Sequence, residues 1–68
     1  MKHVSGKRMA QIADENGWLF ISQNGSHMKY RNPTTGQTVI IPVHGNHDLR
    51  FGMQKALMRV LGITDADL

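Results

Sequence analysis

Two turn signals cut the segment 18–43 into three short runs, and this punctuation restricts the fold more than any other feature of the chain. Asn24-Gly25 is the strongest short hairpin signal, because both central positions of such a turn need left-handed backbone, which these two residues adopt cheaply. Asn32-Pro33-Thr34-Thr35-Gly36 supplies the second turn. The runs at 18–23, about 26–32, and 37–43 are rich in aromatic and β-branched residues, as strands are. Connections this short join only antiparallel neighbours, so the three runs form a meander. Pro42 has no N–H for a central ladder, which puts the third strand at an edge or ends it there.

Helical signals flank the meander. Ser5 can cap a first helix whose residues Met9, Ile12, Ala13 and Asn16 fall on one stripe. Asn16-Gly17 reads as a pair of left-handed residues ending it, and residues 1–4 read as a loose lead-in. After a loop at 44–48, a second helix is expected from about Arg50 to Leu61. Met53, Ala56, Leu57, Val60 and Leu61 are its expected buried stripe. Gly62-Ile63 would close it, and Thr64 would cap a last turn at 65–68. The expected architecture is one α+β domain over 1–68, with peripheral ends at 1–4 and 64–68. Its order is α-β-β-β-α, with both helices on one face of a three-stranded antiparallel sheet.

Composition narrows the partners. No cysteine is present, so neither a disulfide nor a thiolate metal site can form, which suits a reducing, cytoplasmic setting. The apolar runs at 18–21 and 39–43 are too short to span a membrane. Eight Lys and Arg against five acidic residues give a net charge of +3, favouring a polyanion or an acidic protein. The distribution is more informative than the sum. From Gly17 to His47 there is no carboxylate, while two cations and three histidines fall in that stretch.

Side chains alternate along a strand, so His27, Lys29 and Arg31 share one face and Met28 and Tyr30 the other. If Met28 and Tyr30 face the helices, the open face carries an imidazole, an ammonium and a guanidinium in a row. Such a row can bind a phosphodiester and stabilise the charge that builds on its oxygens. Imidazole titrates near neutrality and can take or give the proton. RNA brings its own nucleophile, the 2′-OH. A solvated, purely structural row is the plainer alternative, and a register slip of one residue would turn all three side chains inward.

Other constellations are weaker. His44, His47 and Asp48 lack the further Cys or Glu that a zinc site would need. Ser26 and His27 are sequence neighbours on a strand, so they do not form a nucleophile–base pair. Met9, Met53 and Met58 read as core filling. Ile40 falls on the face opposite Val39 and Ile41, where an exposed isoleucine suits a protein partner.

Taken together, the motifs resemble the HicA family of toxins. The matching residues are Ser5-Gly6-Lys7, Asn16-Gly17-Trp18, Gln23-Asn24-Gly25-Ser26-His27 with Tyr30-Arg31-Asn32-Pro33, Pro42-Val43-His44-Gly45-Asn46, Leu49, Gly52 and Leu61-Gly62-Ile63. Phe51-Gly52-Met53 stands where the family commonly has Lys-Gly-Thr, and His47 where it often has Lys. The resemblance implies the fold of double-stranded-RNA-binding domains. It also implies mRNA cleavage without a metal or other cofactor, and a HicB-type antitoxin as protein partner. His27 would be the catalytic residue. Lys29, Arg31, Lys7 and Arg50 are candidate RNA contacts, with Ser26, Tyr30 and His44 as candidate auxiliary groups. The competing expectations are a non-catalytic RNA-binding module of the same fold and a module that only docks an acidic protein.

Overall fold

The structure, a computed structural model, describes residues 1–68. Its order is α1 (Gly6–Glu15), β1 (Leu19–Asn24), β2 (His27–Arg31), β3 (Thr38–Pro42) and α2 (Phe51–Leu61), then a 3-10 turn at Asp65–Asp67. This is the expected α-β-β-β-α domain, with element bounds shifted by a residue or two.

Helix α1 starts where expected, because the Ser5 hydroxyl accepts the Arg8 N–H at 3.0 Å. It stops at Asn16, whose side-chain amide donates to the Ile12 carbonyl at 2.8 Å. Of the two residues expected to be left-handed, only Gly17 is, with φ of 85°. Asn16 satisfies the helix end through its amide instead.

The strands pair in sequence order, antiparallel throughout. β3 is therefore an edge strand, and Pro42 is its last residue, where a missing N–H disturbs the ladder least. Burial alternates along β3: Val39 and Ile41 are buried and Ile40 is exposed. On β2, Tyr30 is buried and Met28 half-buried. Both helices cover this face. Trp18, just before β1, joins the core they enclose, together with Met9, Ile12, Ile41 and Leu57. β1 itself is exposed along its whole length.

Two expectations are corrected. The buried stripe of α2 is Gln54, Leu57, Met58 and Leu61, not the one drawn through Met53 and Ala56. Met53 is 44% exposed and Ala56 is also exposed. The observed stripe has the same i, i+3, i+4, i+7 spacing but begins on a glutamine, which hydropathy alone rejects as a core residue. Gln54 is tolerated because its amide is fully used. Its Oε1 accepts the Val4 N–H at 3.0 Å, and its Nε2 donates to the Lys2 carbonyl at 2.6 Å. The second correction follows from the first. The segment before α1 is not loose: Val4 is buried, and its carbonyl accepts the Leu49 N–H at 2.9 Å.

The end of α2 behaves as expected. Gly62 is left-handed at φ 71°, and Ile63 folds back into the core. Thr64 and Asp67 then cap each other across the final turn. No helix is long and apolar enough to cross a membrane.

Candidate active site

The sheet register decides which side chains share the open face. His27 lies opposite Asn24 and Pro42, Lys29 opposite Ser22 and Ile40, and Arg31 opposite Leu19 and Thr38. Directly paired residues point to the same side. The open face is thus one row of three basic groups bordered by Leu19 and Ile40, both about half exposed. A bulge between Phe20 and Ser22 keeps this register. It inserts Ile21 without a partner, so Phe20 stays with Tyr30 while Ser22 comes to face Lys29. Phe20 then meets the Tyr30 ring edge-on at 5.8 Å.

Four backbone segments converge at the His27 end of the sheet. The Val43 N–H donates to the Ser26 carbonyl at 2.6 Å. Gly6 lies so close to the Pro42 carbonyl that no side chain fits between them. Ser5 forms an isolated bridge with Asp48. The start of β2, the end of β3, the first turn of α1 and the 44–50 loop therefore form one neighbourhood. It brings together His27, Lys7, His44 and Arg50, all of them exposed.

Arg31 is set apart. At roughly 3.3 Å per residue it lies about 13 Å along β2 from His27. Its guanidinium leans over the turn at Gly36. Lys29, about 7 Å along and half-buried, sits between them.

The side chains of His27, Lys29, Arg31, His44 and Arg50 form no hydrogen bond or ion pair within the chain. The single ion pair is Arg8–Glu15, at 3.4 Å on the exposed side of α1. With no carboxylate between Gly17 and His47, the charge of Lys29 and Arg31 is available to an external anion, while Asp48 lines the same pocket as His44 and Arg50.

Tyr30 does not belong to this group. It points to the helix side, where its hydroxyl donates to the Asp14 carboxylate at 3.3 Å. Burial raises its pKa above the usual 10.0, and the neighbouring Asp14 charge and hydrogen bond raise it further. Its position and its raised pKa both suit a structural phenol.

The fold also assembles a pocket of about 230 Å³ between the end of β3 and the start of α2. Pro42, His44, His47, Asp48, Arg50 and Met53 line it. No group of three or more His, Asp and Glu side chains comes together with metal-holding geometry. Sequence reasoning left His47 and Met53 out of the site, because a pocket between a loop and a helix has no periodicity to betray it. The three-residue spacing of His44, His47 and Arg50 into the helix start was the one available sign.

The family model described as the HicA toxin of bacterial toxin-antitoxin matches residues 6–63 of the 68-residue chain. That span runs from the first residue of α1 to the apolar residue closing α2, so it includes every element that builds the basic end of the sheet. A comparison with individual curated proteins finds no significant match. A match over residues 6–63 shows the family: the chain belongs to the HicA toxin family of bacterial toxin–antitoxin systems.

Proposed function

We propose that the chain is the toxin of a HicAB-type pair and acts as a metal-independent endoribonuclease on mRNA, with His27 as the essential proton carrier. The observation that carries this reading is the placement of an unpartnered imidazole at the end of an acid-free basic face, beside the first turn of α1. His27 takes the proton from the 2′-OH. The 2′-oxygen then attacks the adjacent phosphorus, and the 5′-oxygen leaves with a proton from a second donor. The products are a 2′,3′-cyclic phosphate and a 5′-hydroxyl. His44, two residues beyond the direct partner of His27, is that donor; Tyr30 faces the other way. Lys29 and Lys7 neutralise the phosphate under attack, where preorganised charge is worth most. Arg31, about 13 Å along the strand, holds a phosphate further along the chain. Arg50, which lines the same pocket as His44, adds a further cation. Ser26 supports the site through its backbone carbonyl, which fixes Val43.

A HicB-type antitoxin silences the enzyme by covering this face. The exposed Leu19 and Ile40 on either side of the basic row give a protein partner apolar purchase that RNA does not need.

The test is His27→Ala. The variant should fold, bind RNA, leave it uncut and permit growth on induction. Cleavage by the purified variant would overturn the mechanism. EDTA should leave wild-type cleavage unchanged, and activity that vanishes with chelation and returns with a divalent ion would point to metal catalysis. Wild-type protein that binds RNA with steep salt dependence but never cuts it would be a binding module of the same fold.

A further inference from the structure

We infer that the pocket between the end of β3 and the start of α2 receives one unpaired base of the RNA, from the nucleotide next to the phosphodiester cleaved at His27, and so sets the sequence preference of cleavage. This rests on the proposed ribonuclease reading, but its first test does not depend on catalysis.

Size comes first. A volume of about 230 Å³ is below the roughly 300–1,000 Å³ of sites for drug-sized ligands. It suits one flat ring system and excludes a stacked pair.

The lining is mixed in a way that selects among ligands. Pro42 and Met53 offer apolar surface, and His44 and His47 offer flat rings. Asp48 brings an acceptor and Arg50 a fork of donors. A bare phosphate is poorly served beside the Asp48 carboxylate. A wholly apolar ligand would strip water from Asp48 and Arg50 and return nothing. A nucleobase has apolar faces and a rim of donors and acceptors, which matches both halves of the lining. Unpaired RNA bases are bound in this manner, stacked on rings or guanidinium planes and read at their edges. A carboxylate accepts from exocyclic amino groups, so Asp48 favours a base that carries one.

Position supplies the link to cleavage. Pro42, one wall of the pocket, is the direct β partner of His27 on the same face of the sheet. Their Cα atoms are therefore about 4.5–5.5 Å apart. A base in the pocket and a phosphate at His27 then belong to neighbouring nucleotides. Met53, like Phe51, is exposed in the first turn of α2, at 44%, while Leu57, Met58 and Leu61 further along are buried; Phe51 packs against His3 and Lys55, and Met53 lines the pocket. The core does not use Met53.

The experiment is an NMR titration of the wild-type chain with each of the four nucleoside 5′-monophosphates, and separately with inorganic phosphate. None of these ligands has a phosphodiester that the 2′-OH could cleave. The Met53 methyl and His47 ring signals should move with at least one nucleotide, more with a base bearing an amino group than with uridine monophosphate. Inorganic phosphate should leave Met53 unmoved. No shift at Met53 or His47 with any nucleotide overturns the inference, and so do equal shifts with phosphate alone. In a second arm, Met53→Trp fills the pocket, and cleavage sites are mapped on a long RNA. The preference for the base beside the cut should fall on the order of tenfold, within the range that one base contact supplies; an unchanged map overturns the inference. The two readings fail separately. If His27→Ala still cuts RNA while nucleotides shift Met53, the mechanism falls and the pocket stands. If His27→Ala is inactive but Met53 never responds, the pocket falls and the mechanism stands.

Discussion

The same substitution should have opposite signs at two glycines of this chain. Gly6 opens α1, and a Cβ built there overlaps the Pro42 carbonyl oxygen and lies 2.9 Å from its carbon and 3.1 Å from the Val43 Cα. Every one of these atoms is backbone. Carbon pairs settle near 3.5–4.0 Å, so Gly6→Ala must push α1 and the end of β3 apart by roughly 1 Å. Overpacking of this kind costs about 1–3 kcal/mol, and a rigid neighbour on both sides puts Gly6 near the top of that range. Against it stands the gain from alanine in a helix and the lost freedom of glycine in the unfolded chain, together about 1 kcal/mol. The clash wins, by about 2 kcal/mol. Gly52 lies in the first turn of α2, exposed, without positive φ and with nothing within 4 Å of an added Cβ. There only the favourable part remains, so Gly52→Ala should stabilise by about 0.5–1 kcal/mol. A chain of 68 residues has roughly 3–10 kcal/mol in total, so the first change removes a large share of it. Each kcal/mol moves Tm by roughly 4–8 °C at this size, which predicts a fall of about 8–16 °C for Gly6→Ala and a small rise for Gly52→Ala. Urea denaturation of both variants, with unchanged m-values, is the assay. If Gly6→Ala unfolds at the wild-type midpoint or above it, the close approach of α1 to β3 is wrong, and with it the convergence of Lys7 and His27.

Two further outcomes follow from the interior. Gln54→Leu keeps the side-chain volume but leaves the buried Val4 N–H without an acceptor, so it should cost about 2 kcal/mol in urea denaturation; a change below about 0.5 kcal/mol would mean that Gln54 does not anchor the residues before α1. The raised pKa of Tyr30 means that the folded state favours the neutral phenol, first through burial and then through Asp14. The stability from this preference is fully present below the ordinary value of 10.0 and is lost as pH rises through the higher folded value. Chemical denaturation on the alkaline side of pH 10 should therefore show a shallower decline for Tyr30→Phe than for the wild type. Parallel declines would show that the phenol is not held neutral.

The sheet was legible in the sequence because its signals are local. Asn24-Gly25 and the 32–36 turn leave a meander as the only short connection, and Pro42 marks an edge. Period-2 alternation then separates Tyr30, Val39 and Ile41 from the row of His27, Lys29 and Arg31, as the pairing shows. The cap at Ser5 and the stop at Gly62 are equally local, since each depends on one residue's hydroxyl or backbone freedom. The bulge at Ile21 was not legible, because it exists only relative to the partner strand.

What only the tertiary structure decided concerns distance between segments. Hydropathy placed Met53 inside and Gln54 outside, and the fold reversed them. A glutamine amide that meets the backbone of Lys2 and Val4, some 50 positions away, is satisfied in a way no window on the sequence can register. Nor does the sequence say that Gly6 touches Pro42, or that the Arg31 guanidinium leans over the turn at Gly36, away from the His27 end of the strand. The chain's residues specify the chemistry of each side chain and the face it takes on its own element. Which of those faces meet is settled by packing, because a contact between distant segments is a property of the pair and not of either sequence.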